Sequence, residues 1–134
     1  MISSEDILAD LIKTTPGEEG KWFATAKELK LYELALQLAD QSPCEPKTLI
    51  RAARDFLESE PAFSLGAAIA ALLWLNEGCG YEVTGMDVVE AYDLALAAAE
   101  RSQIDNVSDQ IRALLDRTYG DGNTFVRQFL SGRM

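Results

Sequence analysis

Apolar residues recur along this chain at three- and four-residue spacing, without the sustained alternation that a half-buried strand requires. Ile7, Leu8, Leu11 and Ile12 predict a first helix that Ser3 or Ser4 caps, that carries Glu5 and Asp6 at its positive end, and that stops by Thr14 ahead of Pro16-Gly17. From Glu18 to Gln41 the pattern stays helical, but its phase breaks. Trp22, Ala26 and Leu29 project forward onto Glu33, Leu36 or Gln37, and Asp40, whereas Leu31, Leu34, Ala35 and Leu38 project back onto Lys27 and Glu28. Two helices are therefore expected, about Glu18 to Glu28 and about Leu31 to Gln41, with a tight turn near Leu29 and Lys30; one long curved helix is the alternative.

Proline and capping residues punctuate the rest of the chain. Pro46 is placed to open a helix running to about Ser59, with Leu49, Ile50, Ala53, Phe56 and Leu57 as its buried face. Pro61 opens another that Gly78 closes, and from Ala62 to Leu75 its only polar residue is Ser64, so this helix should be the most enclosed. Gly66, Ala67, Ala68, Ala70 and Ala71 would let its neighbours approach closely. Thr84 with Asp87 signals a capping box for a helix to about Ser102, packed through Tyr92, Ala95, Leu96 and Ala99. Asn106 with Asp109 repeats the signal for a helix through Tyr119, closed by Gly120, and Asn123 opens a short one around Phe125 to Leu130.

The expected fold class is all-α: about eight helices in one domain, 1–134, joined by short connections into successive antiparallel hairpins over 18–41, 46–78 and 84–119. Whether these stack as an α-solenoid or gather into an irregular bundle turns on an internal repeat. Tyr32-Glu-Leu-Ala-Leu-Gln-Leu-Ala-Asp-Gln-Ser42 returns as Tyr92-Asp-Leu-Ala-Leu-Ala-Ala-Ala-Glu-Arg-Ser102, with six of eleven positions identical. One residue out of step, Ile50-Arg51-Ala52 returns as Ile111-Arg112-Ala113, so 31–59 and 92–119 each read as a helix pair. Alanine- and leucine-rich helices also resemble one another by composition, and Gly20-Lys-Trp-Phe23 has no counterpart before Tyr92.

Composition narrows the class more than the activity. A chain of 134 residues, 48% hydrophobic and 25% charged, can bury roughly two thirds of its unfolded surface without staples. The longest apolar run, Leu65 to Leu75, falls short of the about 20 residues that span a bilayer, and the opening Met1-Ile-Ser-Ser-Glu-Asp lacks the positive region of a signal peptide, so a cytoplasmic location without membrane contact is expected. The formal charge is −10, and between Arg54 and Arg101 nine acids occur with no Lys or Arg. That field repels phosphate backbones and argues against nucleic acid. It suits either a solvated surface or a docking face for a protein partner with a basic surface.

Histidine is absent, which closes His-dependent triads, His-metal motifs and the usual proton relay near neutral pH. Cys44 and Cys79 have no metal-site spacing, and Cys79, though set between Gly78 and Gly80, has no evident base to activate it. Asp87, Glu90 and Asp93 recur every three residues, but Glu90-Ala-Tyr-Asp93 is not the Glu-x-x-His of di-iron helices. No cofactor or metal is expected. Trp22, Phe23, Trp74 and Tyr81 are the aromatics best suited to line a groove, and otherwise belong to the core. The tail Phe125-Val-Arg-Gln-Phe-Leu130 is amphipathic, so it could cap a solenoid or pair with a second copy through Arg127.

Several segments together resemble a helical domain of bacterial proteins: Lys21-Trp-Phe-Ala-Thr-Ala-Lys27, Leu31-Tyr-Glu-Leu-Ala-Leu36, Ser42-Pro-Cys-Glu-Pro-Lys-Thr-Leu49, Arg51-Ala-Ala-Arg-Asp-Phe56 and Gly80-Tyr-Glu-Val-Thr84. That domain is associated with the C-terminal part of longer chains carrying a SWIM-type zinc finger. The resemblance implies a helical fold over about residues 18 to 119 and assigns no catalytic residue; the zinc-finger cysteines and histidines are missing here, so neither zinc nor nucleic-acid binding is implied. The function expected is a non-enzymatic helical-repeat interaction module that uses Asp87, Glu90 and Asp93, with Trp22, Trp74 and Tyr81, to hold a protein. The alternative is a small enzyme or ligand-binding domain with a pocket near Trp22, Trp74, Cys79 and Tyr81.

Overall fold

The phase break at Leu29-Lys30 becomes a helix end in the computed structural model, which describes residues 10, 13, 22–41, 45–78, 83–117 and 123–130. Every regular element among them is a helix: α1 (Phe23–Glu28), α2 (Tyr32–Gln41), α3 (Pro46–Asp55), α4 (Pro61–Asn76), α5 (Gly85–Arg101), α6 (Val107–Arg117) and α7 (Asn123–Leu130). The fold is all-α. By its internal contacts the chain divides into two compact units, Met1–Cys44 and Glu45–Met134. The helix expected from Ser3 or Ser4 to Thr14 lies almost wholly outside the described residues, though Asp10 and Lys13 are helical and exposed.

In the first unit α1 packs on α2. Lys30 takes a left-handed conformation with φ 62°, so its N–H reaches the Lys27 carbonyl at 3.0 Å and the Leu31 N–H reaches Ala26 at 2.9 Å. This paired closure satisfies carbonyls that a helix end leaves open and reverses the chain without a glycine. Two separate helices result. Phe23 and Ala26 are buried on α1, as are Ala35, Leu38 and Ala39 on α2, while Leu29 is exposed. The buried face of α1 thus passes through Phe23 instead of Leu29, which the turn swings outward.

The second unit is organised around α4. It packs on α3 and α5 and also touches α6 and α7, so most of its surface is enclosed and the line through Ala62, Gly66, Ile69 and Leu73 keeps some exposure. Hence Phe63, Leu65, Ala67, Ala68, Ala70, Ala71, Leu72 and Leu75 are all buried. Its one early polar residue is satisfied, Ser64 Oγ donating to the Ala53 carbonyl of α3 at 2.6 Å. Alanines on the facing side of α5, Ala91, Ala95, Ala98 and Ala99, are also buried and keep this side of the interface narrow.

Helix starts follow the local signals. Pro46 occupies the first helical position of α3, and Glu45 before it is extended. The Thr84 N–H donates to the Asp87 carboxylate at 2.8 Å, so the expected capping box opens α5. At the start of α6, Gln110 Nε2 donates to Asn106 Oδ1 at 3.0 Å, a bond between side chains one turn apart and not a capping bond. Ends follow the signals less closely. α3 stops at Asp55, short of the expected Ser59, so Phe56 and Leu57 lie in the turn, half-buried, with the Phe56 ring edge-on to Phe63 at 5.2 Å. α5 ends as α1 does: Gln103 has φ 61°, its N–H bonds Glu100, and the Ile104 N–H bonds Ala99 at 2.8 Å. The described part of α6 ends at Arg117, and the Tyr119-Gly120 stop expected for it lies outside the described residues.

Candidate docking surface

α5 buries Val88, Ala91, Tyr92, Ala95, Ala98 and Ala99 on one side, and the hydroxyls of Tyr92 and Ser108 share a 3.3 Å hydrogen bond. At 100° per residue the opposite side carries Met86, Glu90, Asp93 and Ala97 within an arc of about 60°, flanked by Val89 and Leu94. These residues, together with Asp87, line an open groove of about 510 Å³. Met86 is 72% exposed, far beyond the other large apolar side chains on the described surface. An apolar side chain standing among carboxylates is a surface that a cationic, partly apolar segment can cover.

The three acids singled out in the sequence meet at this groove but do not play the same part. Asp87 accepts the Thr84 N–H and so belongs to the start of the helix, a quarter turn from the outward arc. Glu90 is half-buried and Asp93 exposed. Among the described residues no three Asp, Glu or Cys side chains gather closely enough to hold a metal ion. Trp22 lies half-buried in the first unit and Trp74 half-buried on α4 of the second, and neither lines the groove. Tyr81 and Cys79, expected beside them, lie outside the described residues.

Two features of the surface were not evident from sequence. Beside Asp87 and Glu90, a second cavity of about 230 Å³ is lined from α3 by Lys47, Ile50, Arg51 and Arg54. These cations stand at positions i, i+4 and i+7 of α3, the spacing of a single helix face, which was the available signal. At the amino end of α5 the Phe129 ring of α7 lies directly on Gly85, where any β-carbon would collide with it. That contact, with buried Val126 and Leu130 and a 2.7 Å ion pair from Arg127 to Asp116, ties these residues of α7 to their own chain. A further cavity on the first unit, lined by Lys30, Leu31, Tyr32, Glu33, Leu34 and Gln37, surrounds the left-handed turn and collects no acid cluster.

Elsewhere ion pairs tie some of the charges down. Arg101 at the end of α5 reaches Glu58 at 2.8 Å, and Arg112 approaches Asp109 at 3.9 Å. Partial desolvation of its carboxyl pushes Asp40 of α2, an exposed residue overall, above its ordinary range, but Asp40 lies in the first unit and lines neither cavity on α5. No helix among the described residues is long and apolar enough to cross a membrane. Compared with known proteins, the chain matches no family model, and no curated protein or solved structure is significantly similar to it.

Proposed function

We propose that this protein is an interaction module whose outward face of α5 holds a segment of another polypeptide that is cationic and partly apolar. The observation that carries this reading is Met86, an apolar side chain 72% exposed beside Glu90 and Asp93 on a face that the rest of the described chain leaves open. An apolar centre edged by charge is how docking surfaces combine burial with orientation. The acidic stretch from Asp55 to Glu100 adds attraction at longer range for a basic partner.

A photo-crosslinking residue placed at position 86 in the native host tests this directly. The expected result is a discrete protein adduct that disappears when Glu90 and Asp93 are replaced by Lys. The same probe at Arg112, exposed on α6, is the control. Adducts no stronger at 86 than at 112 would overturn the reading.

A further inference from the structure

Each copy of the repeated helix carries a groove, and the two grooves stand in the same register. The one on α2, of about 490 Å³, and the one on α5, of about 510 Å³, lie in different units. Lys30, Glu33, Leu34 and Gln37 of the first stand sixty positions before Glu90, Asp93, Leu94 and Ala97 of the second, the offset that relates Tyr32 to Tyr92 in the repeat. The duplicated pattern thus repeats an outward feature as well as a packed side. Leu34 and Leu94 are the same residue and half-buried in both copies, at a place outside the buried side of either helix, where the core does not call for a leucine. Glu33 and Asp93 are acids, exposed in both. Among these four positions the sign of charge changes only at the first, Lys30 against Glu90. Among the described residues neither Lys30 nor Glu90 forms an ion pair, whereas Asp93 already has a partner within the chain and does not set the difference.

We infer that the groove on α2 is a second docking site, for a partly apolar polypeptide segment that presents an acid to Lys30, and that position 30 fixes this choice as Glu90 does on α5. The inference rests on the docking role proposed above and extends it to the first unit. In it an apolar side chain of the segment covers Leu34 while a neighbouring carboxylate meets the Lys30 ammonium. The left-handed turn, closed by its bonds to Lys27 and Ala26, fixes the backbone from which that lysine reaches the groove. A cationic segment of the kind suited to α5 meets like charge there, so the reversed residue both attracts one ligand and rejects the other. The formal charge of −10 opposes an acidic segment at long range, but that part is screened beyond about 10 Å at 0.1 M salt, where a close contact with Lys30 persists.

The test is a titration of the isotopically labelled full chain at about 0.1 M salt, followed in proton–nitrogen NMR spectra. The probes are two end-blocked synthetic peptides with the same leucines, one carrying Glu and the other Arg at every charged position. The Glu peptide is expected to shift the amides of Leu34 and Gln37 with a Kd about fivefold below that of the Arg peptide, and the Arg peptide to shift those of Glu90 and Ala97. Lys30→Glu should reverse the preference on α2 and leave α5 as it was. It keeps a β-carbon at φ 62°, so the strain of the turn does not change, and the amides remote from the turn report that the variant is folded. Lys27→Glu, three residues earlier, makes the same change in net charge without lining the groove and should leave the preference in place. Equal response to both peptides at Leu34 and Gln37, or a reversal as large with Lys27→Glu as with Lys30→Glu, would overturn the inference. If the Arg peptide still shifts the α5 amides in that case, the docking role of α5 stands. Amides of α5 indifferent to both peptides, with no adduct at position 86, remove that role and the equivalence of the grooves with it.

Discussion

The two copies of the Tyr-x-Leu-Ala-Leu pattern, α2 and the second half of α5, are buried in the same phase and packed in different company. Ala35 and Ala95, Leu38 and Ala98, and Ala39 and Ala99 are buried in both; Glu33 and Asp93, and Asp40 and Glu100, are exposed in both. Their surroundings diverge. α2 packs on the six-residue α1, whereas α5 packs on α4, which is apolar on all sides. The helix after each copy differs as well: the boundary between units falls after α2, separating it from α3, while α5 and α6 share one unit. The repeated residues set which side of a helix turns inward, and the neighbours decide how much that side weighs.

The first tyrosines of the copies put this difference on the largest scale. Tyr92 is 2% exposed and bonded to Ser108, while Tyr32 is half-buried. Tyr92→Ala should cost about 3–5 kcal/mol, the range for emptying a buried aromatic site, and Tyr32→Ala only about 1 kcal/mol. The chain's two tryptophans report the units separately, Trp22 in the first and Trp74 in the second. Urea titrations of Trp74→Phe and Trp22→Phe backgrounds therefore read each substitution where it acts. A Tyr32→Ala loss as large as that of Tyr92→Ala would show the copies to be equally enclosed and end the comparison.

Leu38 and Ala98 sharpen it. They occupy equivalent buried positions, but the α5 position faces inward from a helix whose packed side is otherwise lined with alanine. Leu38→Ala should leave a cavity at a cost of about 2–5 kcal/mol. Ala98→Leu should cost about 1–3 kcal/mol from overpacking, even though it makes copy two more like copy one. If Ala98→Leu instead raised the denaturation midpoint, the interface beside α5 would have room to spare and the close approach inferred from its small residues would be wrong.

Much of the fold was legible because its signals are local. Pro46, Pro61, the Thr84-Asp87 box and Asn106 each mark a helix start within a few residues of the sequence that causes it, and the phase break located the turn at Lys30. The apolar run from Ala62 to Leu75 announced a helix packed against four neighbours. Ends were read less well: the apolar phase runs on through Phe56 and Leu57, but the helix closes at Asp55. The boundary between units was hidden because Ser42-Pro-Cys-Glu45 is no longer than other connections. The docking face was half legible. Its acids stood out as a charge run, whereas the exposure of Met86 and the placing of Arg51 and Arg54 beside Glu90 depend on how α3 and α5 pack.

The smallest expected effect concerns the turns that bracket the copies. Copy one is entered through Lys30 and copy two is left through Gln103, both held at a positive φ near 60° without being glycine. A left-handed residue with a β-carbon costs about 1–2 kcal/mol, and glycine removes that strain while losing about 0.5–1 kcal/mol of extra chain entropy on folding. Lys30→Gly and Gln103→Gly should therefore each stabilise the protein by about 0.5–1 kcal/mol, read from the Trp22 and Trp74 transitions respectively. Their equality is the informative point. Both turns make the same pair of closing bonds, to Lys27 and Ala26 in one and to Glu100 and Ala99 in the other, so backbone strain alone predicts the same gain at both. A gain at Gln103 with a loss at Lys30 would mean that the lysine side chain itself contributes to the first unit, and the two ends would no longer be equivalent.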